Sequence, residues 1–462
     1  MALIPQVPLK EPSSVSRNIV VKALLIGLLA LLLLIPTAMV MGIISDRESH
    51  RDEAVTDITN KWGKQQTLLG PVLSVPYTAY ITEQKDGKTV TIEVQRYANF
   101  LPAQLNIKSS LAPEKRYRSI FEVVVYNAAT HAEGYFGNLD FASLNVKPED
   151  IDLKGAVLTV GISDLTGIDK SVLLDWNTQK IPFNAGSGNR DVVATGIHTP
   201  VPISSLDTSK QNLHFAFDLQ LKGSDKLAFT PVGKVTDVQM TAPWATPSFD
   251  GNFLPDDRKV TDKDFTAHWN VLHLNRNYPQ QWQGDGSTPD GNSITQEMKT
   301  SAFGVSLLIP NNNYNQANRS IKYAILFIAL TFMIFFFVEI LNQKRVHLFQ
   351  YILVGLALVL FYTLLVSISE YLPFGAAYMV SSGATIVLIS LYVYAILDSK
   401  RLAGLVGGTL FMLYGFIFVL LQLEDLSLLI GSIGLFIVLA IIMYYSRKID
   451  WYNINDKKEN AA

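Results

Sequence analysis

Tyr323–Leu341 reads YAILFIALTFMIFFFVEIL, and this stretch decides the fold. At ~1.5 Å per residue a helix of this length reaches about 28 Å, close to the ~30 Å hydrocarbon core of a bilayer. Its one charge is Glu339, third from the end. Four similar stretches follow: Leu348–Ile368, Phe374–Leu397, Leu402–Leu423 and Leu426–Tyr445. Short polar hinges separate them at Asn342–His347, Ser369–Pro373, Asp398–Arg401 and Glu424-Asp425. A sixth lies far upstream at Ala23–Ile44, centred on Leu31-Leu32-Leu33-Leu34-Ile35. Buried helices of soluble proteins rarely string together at such length. The expected fold is an integral membrane α-helical bundle of six transmembrane helices, with a large mainly-β extracytoplasmic domain between the first and second.

Composition agrees. Of 462 residues only 17% are charged, against roughly 25% in an average soluble protein, and mean hydropathy is +0.22. Lys and Arg number 38, Asp and Glu 40, a formal net charge of −2. Nucleic-acid binding would call for a basic stripe, so no nucleic-acid partner is expected. The chain has no cysteine, which removes disulfides, thiolate metal sites, Fe–S clusters and a Cys nucleophile.

Charge also orients the helices. Lys10, Arg17 and Lys22 precede the first span; Lys344-Arg345, Lys400-Arg401 and Arg447-Lys448 follow the second, fourth and sixth. The alternate loops carry Glu370 and Glu424-Asp425 without Lys or Arg. Positive-inside counting over short loops places both termini in the cytoplasm. Arg319 and Lys322, at the outer end of the second span, run against this trend, as the margins of long translocated domains can. Ala23–Ile44 exceeds the usual apolar core of a signal peptide, and Met41-Gly42-Ile43-Ile44 is a poor cleavage site, so the segment reads as an uncleaved anchor. The expected organisation is a cytoplasmic tail 1–22, an anchor 23–44, a β-rich periplasmic domain 45–322 entered by a helical extension 45–64, a five-helix bundle 323–445 and a cytoplasmic tail 446–462.

Within 45–322 the period changes to two. Val75–Ile81 leads to Asp86-Gly87 and then Thr89–Val94, a hairpin signal, because Gly accepts the positive φ of a tight turn. Leu213, Phe215, Phe217, Leu219 and Leu221 alternate with His214, Ala216, Asp218, Gln220 and Lys222, a strand with one wet face. Phe121–Tyr126, Ala156–Ile162 and Phe303–Ile309 read as further strands. This alternation predicts an antiparallel sandwich or barrel-like sheet, as one domain or two subdomains.

The sequence holds no P-loop, no dinucleotide fingerprint, no H-E-x-x-H and no G-x-S-x-G. His268 and His273 fall on opposite faces of a strand and make a poor metal pair. No cofactor or metal is expected. Asp256, Asp257, Asp262 and Asp264 are the visible carboxylate candidates for acid–base work, in what reads as a solvated loop. Trp62, Trp176, Trp244, Trp269 and Trp282 read chiefly as core, and Trp451-Tyr452 as an interfacial anchor. Glu339 is an ionisable group inside a span, a functional candidate by default, with Lys344-Arg345 near enough in sequence to pair with it. The last four spans have no titratable interior, which argues against a proton-coupled pump. Gly404 and Gly408 form G-x-x-x-G, and Ser427 and Gly431 a small-xxx-small pair, both expected to pack helices within the bundle.

Several stretches together resemble a known family. Arg319–Phe332 running to Glu339, Gln350–Ala357 with Phe361-Tyr362 and Ser369-Glu370, Gly70–Leu73 with Pro76, Asn252–Pro255, Ala267-His268-Trp269 and Ile449–Tyr452 are similar to the CreD family. These are inner-membrane "cell envelope integrity" proteins of Gram-negative bacteria. The resemblance spans nearly the whole chain. It departs at Leu348, where Pro usually follows the loop His, at Tyr371, where His usually follows Ser-Glu, and at Asn311–Asn313, which replace a more acidic stretch. The resemblance implies an inner-membrane protein of envelope homeostasis, produced under a two-component system that answers envelope or β-lactam stress, with no established catalytic activity. It leaves Arg319, Lys322, Glu339, His268, Trp269, Gly404 and Gly408 as candidate functional or structural positions. Three readings compete. The first is a non-enzymatic envelope-integrity protein whose partners are the bilayer and envelope proteins, lipid or peptidoglycan. The second is a lipid or amphiphile handler, and the third a cell-wall enzyme.

Overall fold

The computed structural model describes residues 19–85, 88–203, 212–284, 293–308, 313–342, 344, 346–423 and 426–447. The Asp86-Gly87 turn, Glu424-Asp425, Arg345 and Trp451-Tyr452 lie outside them. The chain divides into a helical unit, residues 1–50 with 311–462, and a β-rich unit, 51–310.

The helical unit starts with α1 (Ile19–Leu32) and α2 (Leu34–Trp62). Helical hydrogen bonds cross the junction, Leu33 N–H to Leu29 O at 3.0 Å and Thr37 N–H to Leu33 O at 3.3 Å. Pro36 has no N–H for the Leu32 carbonyl, which accounts for the break in an otherwise continuous helix. Helix α3 (Ile294–Thr300) belongs to the β-rich unit. Then follow α4 (Asn313–Lys322), α5 (Ala324–Leu341), α6 (Leu348–Ser369), α7 (Phe374–Leu397), α8 (Lys400–Gln422) and α9 (Ser427–Ser446). Among the described residues six helices are long and apolar enough to cross a membrane. The reading from sequence carries the β-rich domain on to Lys322. Asn313–Lys322 is instead an amphipathic helix of the helical unit, burying Ala317, Ser320 and Ile321.

Helix ends follow local chemistry. His347 caps α6: its Nδ1 accepts the Phe349 N–H at 3.2 Å, and Gln350 Oε1 accepts the His347 N–H at 3.0 Å. The loop His therefore starts the helix without a following proline. Asp398 closes α7 in the left-handed conformation (φ 46°), and Ser399 Oγ accepts from Leu402 N at 3.5 Å at the start of α8.

The bundle core is aromatic. Phe327 of α5, Phe361 of α6 and Tyr414 of α8 meet with ring centroids 4.6 and 4.8 Å apart, and Tyr378 of α7 lies 5.5 Å from Phe361. Tyr378 donates its hydroxyl to the Tyr414 carbonyl at 2.9 Å, an intrahelix-backbone acceptor reused between helices. By contrast, α9 is exposed along its apolar length: Leu428 is 85% and Phe436 74% exposed. Such a surface suits a hydrocarbon surround rather than water.

The β-rich unit has two sheets over a shared core. One, of nine strands, runs Pro247–Gly251, Phe303–Leu307, Lys226–Phe229, Gln66–Lys85, Val157–Ile162, Gly196–Pro200, Asn184–Ala185; Lys88–Phe100 also pairs Gln66–Lys85 and carries Gln281–Gln283. The other, of eight, runs Asp257–Val260, Phe265–Leu272, Val235–Ala242, Gln104–Arg118, Phe121–Phe136, Leu213–Ser224, Leu173–Trp176, Gln179–Pro182. Leu105, Ile107, Phe215, Phe217, Leu73 and Leu158, drawn from both sheets, lie in one apolar cluster, and Ile294 and Met298 of α3 join it. Most pairs are antiparallel, but Gln66–Leu68 runs parallel to Leu227–Phe229 and Val235–Thr241 parallel to Gln104–Ser110. Alternation sets which face is buried; it carries no information on which strand lies alongside, so the mixed pairing is invisible to it.

Where α2 enters this unit, backbone passes backbone. Gly63 adopts φ +143°, and Gln66 Nε2 donates to the carbonyls of Asp164 (2.9 Å) and Lys222 (3.0 Å). Asp164 accepts the N–H groups of Lys64 (2.9 Å) and Thr166 (3.0 Å). Burial works against its charge, but these amide hydrogens prevail and hold its carboxyl below the usual carboxylate range. A depressed folded-state value stabilises above the unfolded value and ceases to as pH falls through the folded one. The margin in unfolding midpoint of the native chain over Asp164→Asn is therefore present at neutral pH and shrinks below about pH 4; a margin growing towards acid would contradict it.

Candidate functional site

The outward face of the eight-stranded sheet carries ordered rows of polar side chains. Because successive side chains alternate, residues in register line up in rows across the strands. One row runs Asp257, His268, Gln239, Lys108, His131, Asp218. A row on one side holds Asp237, Asn106, Glu133 and Ala216; on the other, Thr241, Ser110, Ala129 and Gln220. The opposite side chains of these same strands, such as Ile107, Ala132, Leu219 and Met240, are buried. The face thus follows from period two: apolar residues inward fix the polar set outward.

Two imidazole–carboxylate pairs stand on this face. His131 Nδ1 lies 2.8 Å from Asp218 Oδ1, with its Nε2 3.6 Å from Glu133 Oε2. His268 Nε2 lies 2.7 Å from Asp237 Oδ2. The histidines are three strand steps apart, about 14 Å, too far to share a metal ion. Among the described residues no group of His, Asp and Glu has metal-site geometry. A carboxylate on each side of His131 leaves no hydroxyl in line for a nucleophile–base pair. A depression of about 460 Å³ opens over Lys108, Ser110, Ala129, His131, Asp218 and Gln239. A second, of about 310 Å³, is lined by Asn106, Glu133, Tyr135, Asp175 and His214. The Tyr135 and His214 rings are 5.6 Å apart.

The carboxylates expected in one solvated loop are divided: Asp257 lies in the strand Asp257–Val260, paired with Phe265–Leu272, while Asp256 ties across that hairpin and Asp264 closes its turn. Asp256 accepts the Asn270 N–H at 2.7 Å, and Asp264 accepts the Thr261 hydroxyl at 2.7 Å. Trp269 is fully buried and donates to the Phe253 carbonyl at 3.3 Å, so it shares a strand with His268 but points into the core. Trp176 and Trp282 are core as well. Trp62 is partly exposed, with the Arg116 guanidinium 3.9 Å above its ring.

In the helical unit Glu339 is buried, and its partner differs from the one expected. Lys22, from the start of α1, forms an ion pair with Glu339 Oε1 and also donates to the Val346 carbonyl at 2.6 Å. Tyr351 donates its hydroxyl to Glu339 Oε2 at 3.1 Å, and the Val346 N–H reaches Oε1 at 3.3 Å. Lys344 contributes only its backbone N–H, to the Glu339 carbonyl at 3.1 Å. Sequence nearness suggested Lys344; the fold brings in a residue 317 positions away.

At the other end of the unit, Arg47 lies 3.4 Å from Glu370, which also accepts from the Tyr314 hydroxyl at 3.4 Å. Arg319 donates to the Leu423 carbonyl at 3.3 Å. Arg319 therefore holds α4 against the end of α8, while Lys322 is exposed. Among the described residues Gly404 and Gly408 make no close helix contact: a Cβ on either would meet nothing within 4 Å. They line a groove of about 480 Å³ with Ser390, Leu391 and Tyr394 on the outer side of α7 and α8. Gly407, between them, is the close contact, facing Ser390. Sequence reasoning missed His131, Asp237 and Lys108. The available signal was the alternation around Ala128–Ala132, but register alone reveals the pairing.

A family model described as "Inner membrane protein CreD" matches residues 18–452. The chain is 32% identical over 432 residues to the inner membrane protein CreD of Escherichia coli strain K12, covering 94% of this chain and 93% of that protein.

Proposed function

This chain belongs to the CreD family of multi-pass inner membrane proteins, and from that premise we propose that it supports envelope integrity under stress by contact rather than by turnover. Both termini lie in the cytoplasm, and the β-rich unit stands in the periplasm, where it engages envelope material or a partner. The observation that carries this reading is the broad outward sheet face, ordered and polar, in a unit inserted between the first span and the other five. Two further features support it: short-loop charge, with Lys344 and Lys400-Arg401 opposite Glu370, and the structural hydrogen bonds of Asp256, across a hairpin, and Asp264, in its turn. The aromatic filling of the bundle gives no support to a lipid path through it.

The chain has no native cysteine, which makes the test direct. Asp262→Cys and Lys344→Cys, both at exposed positions, are treated with a membrane-impermeant maleimide in cells with a permeabilised outer membrane. Labelling of Asp262→Cys alone is expected; labelling of Lys344→Cys alone would overturn the topology. A photocrosslinker at Lys108 should then capture envelope material in intact cells, and its failure to capture any would remove the contact role.

A further inference from the structure

We infer that the outward face of the eight-stranded sheet is a binding surface for a neutral glycan strand. The inference deepens the proposed contact role by naming what this face takes, and it rests on that reading for its physiological setting.

The chemistry selects the ligand class. Over the three rows named above, the outward side chains of the four central strands are amides, hydroxyls, carboxylates, one imidazole, one ammonium and alanines, with no Leu, Ile, Val, Phe, Met or Arg. A protein partner would find no aliphatic or arginine anchor in these rows, and anchors of that kind supply much of the energy of protein interfaces. Phosphate-rich ligands meet the wrong charge in these rows, since Asp237, Glu133 and Asp218 outnumber Lys108 there. A polyhydroxylated chain fits. Its O–H groups donate to fixed carboxylates, and planar carboxylate and amide groups present two parallel hydrogen-bonding positions to adjacent hydroxyls.

Geometry agrees. Asp218 and Asp237 are each held by an imidazole, at 2.8 and 2.7 Å, so these acceptors are pre-oriented and lose little freedom on binding. Short side chains at Ser110, Ala129 and Ala216 form the floor of shallow depressions of about 460 and 310 Å³ on one face. Strands spaced by roughly 4.8 Å repeat the polar row at a step comparable to one sugar ring. The Tyr135 ring at the second depression, tilted 47° to the His214 ring beside it, offers one aromatic face for the carbon face of a pyranose.

The test uses the purified full-length chain in detergent or nanodiscs, titrated calorimetrically with chitohexaose, cellohexaose and heparin. Chitohexaose or cellohexaose should bind with a Kd in the micromolar to low-millimolar range, and heparin should not. Ala129→Trp, at an exposed position, fills the floor and should weaken binding by about tenfold or more. Gln239→Ala should weaken it less, with both variants retaining the native unfolding midpoint. The inference fails if no neutral oligosaccharide binds at about 10 mM, if heparin binds more tightly than both, or if Ala129→Trp leaves affinity unchanged. Binding in solution does not depend on orientation in the cell. A reversed maleimide pattern would therefore sink the proposed topology alone, and absent binding with intact crosslinking would sink this inference alone.

Discussion

Glu339→Gln in the full-length chain lowers the unfolding midpoint of the helical unit by about 10 °C. Lys22 and Glu339 have side chains only 17% and 11% exposed. Neutralising one of two buried partners leaves the other charge without compensation, a loss of about 3–5 kcal/mol. The remaining contacts of Lys22, the Val346 carbonyl at 2.6 Å and the Tyr351 ring at 6.0 Å, do not replace a carboxylate. Lys22→Met should do comparable damage, because Glu339 would keep only the Tyr351 hydroxyl and the Val346 N–H. The double variant Lys22→Met with Glu339→Met should regain most of the loss, since apolar side chains of similar volume need no counter-charge. Differential scanning of the three variants decides it. Single variants within about 1 °C of the native chain, or a double variant as unstable as the sum of the singles, would mean that water already screens both groups.

This pair marks the limit of what the sequence carries. Each apolar stretch from Tyr323 onwards is a helix to within a few residues of its sequence bounds, because span length and hinge polarity are local properties. The partner of Glu339 is a long-range property, and nearness along the chain favoured Lys344. Gly404 and Gly408 fail in the same way. Their spacing puts them on one side of α8, but only the arrangement of α7 decides that Gly407 is the residue in contact. Asn313–Lys322 was hidden for a different reason. Its asparagines resemble a loop, and its apolar positions are too few to outweigh them until α6 and α8 supply the surface that they bury against. On the sheet, the alternation of Leu213–Leu221 correctly sends Asp218 outward. That Asp218 meets His131, and Asp237 meets His268, depends on register.

Gly63→Ala should disrupt the entry of α2 into the β-rich unit more than any glycine replacement in an open turn. Two separate penalties act there. The φ of +143° lies where side chains are strained, and a Cβ would stand 2.6 Å from the Lys222 carbonyl oxygen and 3.3 Å from the Gly167 Cα. Both neighbours are backbone, so neither can turn aside. Lys222 is further fixed by its carbonyl, which accepts from Gln66 at 3.0 Å. Backbone strain of ~1–3 kcal/mol and a forced shift of ~1–3 kcal/mol together make a loss of about 4 kcal/mol. Gly284→Ala is the matched control: its φ is +61°, but nothing lies within 4 Å of the added carbon, so only the conformational cost of ~1–2 kcal/mol applies. Lys61 and Lys64 flank Gly63 and are exposed, so trypsin reports the junction directly. Gly63→Ala should raise the cleavage rate there at least about tenfold over native, through the larger open population. Gly284→Ala should leave that rate near native. Equal cleavage at the junction in the two variants would mean that the close passage of Gly63 over Lys222 does not hold it.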